Sequence, residues 1–523
     1  MTLWYRFPYG REILKSIRGP RSKVSCGRRQ RLGGAAMMNG DEYRESLRRL
    51  KRDVFAFGAK IDDVVDHPLT RPHVNAAAMT YDLAHDPRYQ DLTSATSHLS
   101  GRRINRFTHI HQSPDDLVRK VKMIRLLGRE TGSCFQRCVG LDGLNALYNV
   151  TYLTDQKFGT AYHSRLRAYL AYVQDSDIMV DGAMTDPKGN RALAPSKQAD
   201  PDLFVHIVER REDGIVVRGA KLHQTGGVNS HEVLVMPTTA LGEEDKDYAV
   251  SFAVHADTPG LTFIFGRQTN DERKLGGEID QGNPRFGFVG GEAMIVFDDV
   301  FVPWERVFMC GEYEFARPLV EMFSSFHRQN YGACKVGVAD VLIGAAALVA
   351  RYNGTADASH IRDKLVEMTH LAETLHNCSL ACSSEGQMTP SGSCYVDPLL
   401  ANTVKLNTTR LTYEIARLAH DIAGGLLGTL PSEKDLRHPV VGPYMQKYLR
   451  GAAEYPTEDR LRVLRLIENL TGVSALVECM HGAGSPQTQR IAIYRQANLP
   501  EKMELAKRLA GIADEPGGPP AAR

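Results

Sequence analysis

The spacing of apolar residues changes twice along the chain, and this order limits the fold more than any other feature of the sequence. Apolar residues recur at helical spacing in residues 38–177, as in "LVRKVKMIRLLGRE". Residues 178–310 hold short β-branched and aromatic runs such as "EVLVMPTTAL" and "AMIVFDDVFVP", separated by Gly, Asp and Pro. Helical spacing returns in residues 311–514. The sequence therefore predicts an α+β protein, in the order N-terminal helical domain, β domain, C-terminal helical domain.

The two ends of the chain differ in composition from the rest. Residues 1–37 form a basic extension, and residues 1–36 hold nine Lys and Arg against the single acid Glu12. A basic arm for nucleic acid and a transit peptide both have this composition. We favour a misplaced translation start or a disordered segment, because a capped amphipathic helix follows at once. Residues 515–523 are predicted to be a disordered tail.

Composition and charge exclude several classes of protein. The chain of 523 residues is 42% hydrophobic and 24% charged, with a net charge of +2, which favours neither nucleic acid nor an acidic partner. The longest apolar run, after Ala333, contains Lys335 and Asp340, so we interpret it as a core helix and not as a membrane span. Nine cysteines in so long a chain, without a secretory signal, predict a cytoplasmic protein with reduced thiols.

Reactive side chains are concentrated at the start of that apolar run, in "SFHRQNYGACKV". They are His327, Tyr331, Cys334 and Lys335. Residues seven apart on a helix are separated by almost two turns, so the histidine and the cysteine share a face, with the tyrosine between them. The spacing predicts a functional site, although an isolated histidine or tyrosine in such a helix usually serves packing.

Two cysteine pairs have the spacing C-x-x-x-C, which on a helix places both thiols on one face. The pairs are Cys134 with Cys138 and Cys378 with Cys382. Thiolates at this spacing suit an iron–sulfur cluster, but two buried cysteines one turn apart also occur as small apolar residues. The spacing alone leaves both interpretations open.

Motifs from all three zones resemble the 4-hydroxybutyryl-CoA dehydratase and vinylacetyl-CoA Δ-isomerase family, within the 4-hydroxyphenylacetate 3-monooxygenase flavoproteins. In chain order they are "SCFQRCVGLDGLNALYNVTY", "DGAMTDPKGNRALAPS", "VVRGAKLHQTGGVNSHE", "FHRQNYGACKVGVADV" and "ECMHGAGSPQTQR". The resemblance covers about residues 39–514. It implies an acyl-CoA-dehydrogenase-like fold, with a helical N-terminal domain, a β-barrel-like middle domain and a C-terminal helical bundle that assembles a homotetramer.

The resemblance also implies two cofactors, a [4Fe–4S] cluster and non-covalently bound FAD. The implied cluster ligands are Cys134, Cys138, His327 and Cys334. Flavin contacts are expected in three turns, at Thr185, Asp186, Pro187, Lys188 and Gly189, at His223, Gln224 and Thr225, and at Gly482, Ala483, Gly484 and Ser485. By the same resemblance, the later C-x-x-x-C pair is expected to serve packing.

The implied activity is the dehydration of 4-hydroxybutyryl-CoA to crotonyl-CoA, with isomerisation of vinylacetyl-CoA. The thioester acidifies the C2 hydrogen of this substrate, but the C3 hydrogen has no such help. The resemblance implies that FAD supplies a one-electron, ketyl-radical route and that the cluster acts as a Lewis acid. The residues implied to act on the substrate are His327, Tyr331, Lys335, Glu292 and Glu478. Which of them takes which proton is left open.

The alternative is an FAD-dependent aromatic monooxygenase of the 4-hydroxyphenylacetate type, which shares the fold and the flavin but needs no cluster. The cysteines at positions 134, 138 and 334 favour the dehydratase, because a monooxygenase has no use for three such thiols. We expect a small CoA thioester as the substrate, and neither nucleic acid nor a membrane as a partner. The pathway, its direction and the CoA-contacting residues are not predicted.

Overall fold

Helices dominate the first part of the chain, and two of them begin at side-chain caps, at Asn39 and at Ser113. The computed structural model describes residues 37–268, 271–274, 276–287 and 290–512, so the predictions for residues 1–36 and 515–523 lie outside the described residues. The helices before residue 178 are α1 (Gly40–Arg48), α2 (Arg71–Asp82), α3 (Gln90–Thr93), α4 (Pro114–Thr131), α5 (Cys138–Phe158) and α6 (Tyr162–Ser176). The predicted cap of α1 is confirmed, because the Asn39 side chain and Glu42 form a reciprocal capping box.

Two sheets follow, as the change of periodicity predicts. The strands are β1 (Asp53–Ala56), β2 (Ala59–Ile61), β3 (Ser94–Thr96), β4 (Arg103–Asn105), β5 (Val180–Ala183), β6 (His206–Arg210), β7 (Gly214–Thr225), β8 (Glu232–Val235), β9 (Val250–His255), β10 (Leu261–Phe265), β11 (Glu292–Pro303) and β12 (Val307–Cys310), with a small hairpin of β13 (Gln387–Met388) and β14 (Cys394–Tyr395). One sheet has the order β2-β1-β10-β11-β7-β6 and the other β12-β9-β8-β5. Their facing side chains form a buried apolar core.

Residues 38–177, predicted as a helical domain, also contain four short strands, β1 to β4. Strand β1 pairs in parallel with β10, with Val54 opposite Phe263, so the first zone contributes to the larger sheet. A strand of four residues is too short to produce a periodic pattern, and its partner lies about 200 residues later in the sequence. Tertiary pairing, rather than local pattern, therefore determines these strands.

Helices return after residue 315. They are α9 (Ala316–Tyr352), α10 (Ser359–Ser384), α11 (Pro398–Ala423), α12 (Glu433–Arg437), α13 (Gly442–Tyr448), α14 (Thr457–Leu470), α15 (Val473–His481), α16 (Pro486–Gln496) and α17 (Leu499–Ala510), while α7 (Asp271–Lys274) and α8 (Glu278–Gln281) are short turns before β11. Within the described ranges, one helix is long and apolar enough to cross a membrane, namely α9 with its preceding turn. Half of its most apolar window is buried within the chain. It packs against α4, α10 and α11.

Glycines allow α4 and α9 to approach closely beside the reactive stripe. A Cβ on Gly337 would lie 2.4 Å from the carbonyl oxygen of Arg125, and a Cβ on Gly128 would lie 2.8 Å from that of Cys334. Both distances are shorter than a van der Waals contact, and the atoms met are backbone atoms that cannot move aside. The backbone of α4 therefore contacts α9 at the level of Cys334 only because neither residue has a side chain.

We expect Gly337→Ala to destabilise the fold by about 1–3 kcal/mol, because its methyl group would force the two helices apart. The matched control is Gly344→Ala on the same helix, where no atom lies within 4 Å of the added Cβ. That control should stabilise α9 by roughly 0.5–1 kcal/mol. Denaturant midpoints of the three proteins test this, and equal midpoints for the two variants would contradict the close helix contact.

Candidate active site

Three thiols from two segments lie close together. Cys138 is the first residue of α5, and Cys334 lies on α9. Cys134 precedes α5 in an irregular segment, in which Gln136 has a left-handed φ of 67°, so the assumption that both thiols of the first pair lie on one helix is wrong. The three thiols nevertheless lie within electrostatic reach of one another, because Cys134 and Cys334 both affect Cys138 and Cys334 affects Cys134.

Burial is the main influence on these thiols. It raises the pKa of Cys334 to about 12 and places the pKa of Cys134 and of Cys138 well above the ordinary value for a thiol. Lys335 opposes this effect at Cys134 and Cys334 but does not overcome it. A cluster of buried thiols loses its protons when a metal ion replaces them, so the chemistry of these donors suits a thiolate-bound metal.

His327 is held by a buried network that the sequence analysis missed. Its Nδ1 lies 2.8 Å from Oδ2 of Asp142, a fully buried carboxylate on α5. Asp142 also accepts hydrogen bonds from Lys120 on α4 (2.6 Å) and Asn330 on α9 (2.6 Å). The sequence offers one signal for this network, because Lys120 and Asp142 are charged residues within otherwise apolar helix faces. Unpaired charges are not buried in such positions.

Tyr331, Lys335 and Glu478 form a second group, in which Tyr331 is buried and the other two side chains are partly buried. The Tyr331 hydroxyl donates a hydrogen bond to Oε1 of Glu478 (3.2 Å), and Lys335 forms an ion pair with Oε2. Burial alone would raise the pKa of Glu478, but the Lys335 ammonium outweighs it and the pKa lies below the ordinary value. The Nζ of Lys405 lies 4.2 Å from the centre of the Tyr331 ring, and burial lowers the pKa of this lysine to about 8. Glu478 is therefore an anion surrounded by cations.

Glu292 has the opposite character. It begins β11 opposite Thr225 of β7, and its Oε2 accepts a hydrogen bond from Gln268 (3.2 Å). Its buried Oε1 has no hydrogen-bond partner among the residues that the structure describes. Burial, and next the negative charge of Glu478, raise the pKa of Glu292 to about 8. This carboxyl group is therefore mostly protonated at neutral pH. Two carboxyl groups whose pKa values are pushed apart in one site are suited to separate acid and base roles.

The first two predicted flavin turns lie together at the ends of β5 and β7. Leu222 and the Gln224 side chain both donate hydrogen bonds to the carbonyl oxygen of Thr185, at 2.8 and 3.1 Å. His223 has a left-handed φ of 58°, and partial burial followed by the charge of Lys188 lowers its pKa. The exposed Lys188 supplies a cation at this edge, which suits the phosphates of a dinucleotide.

The residues of these turns differ in burial. The Asp186 carboxylate forms a buried ion pair with Lys221, which fixes the first turn to β7. Pro187 is buried, whereas Gly189 lies at the exposed end of the turn with a left-handed φ of 48°. A Cβ on Gly226, next to Thr225, would lie 3.0 Å from Cβ of Gln136, so this edge of the sheet contacts the segment that carries the first two thiols.

The third predicted flavin turn lies against α9. Ala483 accepts a hydrogen bond from Nε of Arg328 (3.0 Å), and a Cβ on Gly482 would lie 1.9 Å from the Tyr331 hydroxyl oxygen. Gly484 has a φ of 98°, and Ser485 caps α16 without a side-chain bond. The turn Gly482–Ser485 thus covers the Tyr331 and Glu478 group, and its contact with a flavin stays a prediction.

The second C-x-x-x-C pair lies elsewhere, on α10, where the thiol of Cys382 contacts the carbonyl oxygen of Asp397 at 3.4 Å. Among the described residues, no group of three or more His, Cys, Asp or Glu side chains has the arrangement of a formed metal site. The predicted ligand set of Cys134, Cys138, His327 and Cys334 therefore stays a prediction.

Comparison with known proteins gives a consistent result along the whole chain. The family model described as 4-hydroxyphenylacetate 3-hydroxylase N terminal matches residues 39–309, and the corresponding C-terminal model matches residues 316–511. A 4-hydroxybutyryl-CoA dehydratase/vinylacetyl-CoA-Delta-isomerase from Clostridium aminobutyricum is 57% identical over 490 residues, which cover 91% of this chain and 100% of that protein.

Solved structures agree with the sequence comparison. An oxygen-tolerant archaeal 4-hydroxybutyryl-CoA dehydratase from N. maritimus has a TM-score of 0.90 and 52% identity, and the match covers 93% of this chain and 98% of that one. The oxygenase component of 4-hydroxyphenylacetate 3-monooxygenase, solved with FAD, has a TM-score of 0.79 and 28% identity, covering 90% and 99%. The predicted α+β fold is thereby confirmed.

The raised pKa of Glu292 predicts a pH-dependent loss of stability. Between the ordinary value of 4.5 and about 8, the folded protein keeps a proton that the unfolded chain has lost, so stability falls as the pH rises through this window. Glu292→Gln mimics the protonated carboxyl and should remove this dependence. From pH 5 to 8.5, the free energy of unfolding of the variant should therefore rise relative to that of the native protein, as measured by denaturant unfolding.

The exposed Glu305 supplies the control for that measurement. Glu305→Gln should follow the native protein at every pH. If the difference between Glu292→Gln and the native protein were constant from pH 5 to 8.5, the carboxyl group at position 292 would not be protonated in the folded state.

Proposed function

Since the chain belongs to the 4-hydroxyphenylacetate 3-hydroxylase family, we propose that it dehydrates 4-hydroxybutyryl-CoA to crotonyl-CoA and isomerises vinylacetyl-CoA. The observation that carries this proposal is the 57% identity with a relative that bears both activities in its name. The match covers 91% of this chain and the entire length of that relative. The thiols support it further, because Cys134 lies near two carboxyl groups, of which Glu478 is ionised and Glu292 is protonated. The monooxygenase alternative has weaker support, since that structure is 28% identical.

We propose that Cys134, Cys138, Cys334 and His327 hold a [4Fe–4S] cluster and that FAD binds non-covalently along Thr185–Gly189 and His223–Thr225. The donor set fits a cluster, because the three thiols lie near one another, with Cys138 buried and the other two half-buried, and one nitrogen of the histidine faces a carboxylate. The FAD complex of the related oxygenase supports the flavin. When bound, the two groups supply one-electron chemistry and a Lewis acid for the leaving hydroxyl.

The isomerisation defines the smallest set of protein groups that the site needs. Vinylacetyl-CoA must lose a proton at C2 and gain one at C4, which requires one acceptor and one donor. Glu478 is anionic, so we assign it to accept the C2 proton, which the thioester acidifies. Glu292 is protonated at neutral pH, and its buried Oε1 has no hydrogen-bond partner among the described residues. We therefore assign it to donate the proton to C4.

The neighbouring donors stabilise charge in this scheme. Lys335 and Tyr331 both bond to Glu478, and their positions suit them to stabilise an enolate oxygen once the carboxylate is protonated. The turn at residues 482–485 packs over this group, in which Tyr331 is buried and Lys335 and Glu478 are partly buried. The proton at C2 is thereby transferred in a partly dehydrated site, where each hydrogen bond is stronger than in water.

We further propose a cytoplasmic homotetramer. Large apolar side chains on the last helices are exposed in the single chain, with Tyr448 and Tyr494 each 71% exposed and Leu509 84% exposed. Exposed apolar surface of this size suits subunit contacts. Sedimentation analysis of the purified protein tests the assembly.

Removal of one thiol should remove the cluster while leaving the flavin in place. After anaerobic purification, we expect Cys138→Ala to lose most of its iron and its dehydratase activity but to keep FAD at the native ratio. The matched control is Cys378→Ala from the later C-x-x-x-C pair, which should retain all three. Iron, FAD and crotonyl-CoA formation are measured on each protein.

Two outcomes of that experiment would contradict the proposal. A colourless native protein without iron, active as a hydroxylase on a phenol, would favour the monooxygenase. Full dehydratase activity in Cys138→Ala would show that the thiol is not a required ligand.

The assignment of Glu292 as the proton donor predicts a pH profile. The isomerase rate should fall about tenfold per pH unit above about pH 8, because the donor loses its proton there. Glu292→Gln cannot donate, so we expect its rate to be about 10²–10⁴-fold lower and without this alkaline decline. If the residual activity of the variant showed the same alkaline decline, that decline would come from a group other than Glu292.

A further inference from the structure

Asp142 lies at the centre of a hydrogen-bond network that joins three helices. It is one turn beyond Cys138 on α5, is fully buried, and has no exposed surface on its side chain. Its Oδ2 faces Nδ1 of His327 at 2.8 Å and accepts from Asn330 at 2.6 Å, while its Oδ1 accepts from Lys120 at 2.6 Å. Three partners, one from α4 and two from α9, therefore meet at one carboxylate of α5.

The same network determines which way the His327 ring faces. Phe323 stacks on the ring at 5.6 Å with an interplanar angle of 18°, and Tyr331 meets it edge-on at 5.6 Å. These contacts hold the plane of the ring, but apolar contacts do not distinguish a nitrogen from a carbon after a flip of the ring. The bond to Asp142 does distinguish them, because only Nδ1 can donate to its carboxylate.

The carboxylate also selects the tautomer. A carboxylate accepts hydrogen bonds and donates none, and Asp142 already forms a fully buried ion pair with Lys120. Nδ1 of His327 therefore carries the hydrogen, and Nε2 keeps its lone pair for a ligand bond. Metal-binding histidines are oriented in this way by a second partner.

We propose that Asp142, together with Lys120, is the positioning residue that orients His327 and leaves its Nε2 unprotonated toward the iron. The inference rests on the proposed function, since it takes His327 as a cluster ligand. Asp142 contacts neither substrate nor cluster in this account and acts only through the histidine. It is also the reason for a lysine within the core of α4, whose Nζ additionally bonds to the Phe326 carbonyl oxygen (3.2 Å) and to Gln329 (3.1 Å).

The variant that tests this role is Asp142→Asn, which keeps the size of the side chain. Its amide group can donate to Nδ1, which moves the ring hydrogen to Nε2 and opposes iron binding. In anaerobically purified protein, we expect iron loss to a chelator to be about 10–100-fold faster than in the native protein. The nitrogen coupling seen by pulsed EPR in the dithionite-reduced cluster should be lost or strongly reduced.

Asp340→Asn is the matched control, because Asp340 also joins α4 to α9, through Arg125 at 3.0 Å, and has no bond to His327. It should retain the native iron-loss rate and nitrogen coupling. Asp142→Asn leaves Lys120 buried without its counter-charge, which destabilises the fold. The double variant Lys120→Met/Asp142→Asn therefore removes both charges. It should fold and still show the faster loss of iron.

The outcomes separate this inference from the proposed function. Native protein without iron would overturn the cluster itself. Native protein with iron and nitrogen coupling, but with the same coupling and iron-loss rate in both Asp142 variants, would overturn the role of Asp142 alone. His327→Ala/Asp142→Asn should lose iron no faster than His327→Ala, and an additive effect would mean that Asp142 acts by another route.

Discussion

The ion pair between Lys335 and Glu478 is the interaction on which the chemistry of this molecule depends. A carboxylate buried without a partner would take up a proton, and the lysine prevents this at Glu478. The retained negative charge then contributes to the protonation of Glu292, which has no ion-pair partner among the described residues. One contact between α9 and α15 therefore separates the two carboxyl groups into the anion and the protonated acid to which the proposed isomerisation assigns the acceptor and donor roles.

The fold brings these groups together from segments that are far apart in the sequence. The thiols of Cys134 and Cys138 come from the segment before α5, Glu292 comes from the start of β11, and Glu478 comes from α15. Helix α9 packs against α5, bonds to Glu478 of α15 through Tyr331 and Lys335, and is held close to α4 by glycines. The buried Lys120–Asp142 pair connects the same helices, so the positions of the histidine and the thiols depend on one packing arrangement.

Periodicity predicted the long helices and the β-rich middle of the chain, because amphipathic segments and alternating strands are local properties. The structure brings Tyr331, Lys335 and Glu478 into contact, while their action on a substrate stays a prediction. Strands β1 and β2 were missed, because four residues give no period and their partner is distant. The position of Cys134 outside a helix was also missed, since a left-handed Gln136 breaks the helix without a Gly or Pro to signal it.

The proposed iron–sulfur cluster is tested most directly by anomalous diffraction at the iron edge from anaerobically grown crystals. We expect one compact group of four iron atoms, bonded to the sulfur atoms of Cys134, Cys138 and Cys334 and to Nε2 of His327. Absence of an iron peak among these four side chains, or a peak bonded to other residues, would contradict it.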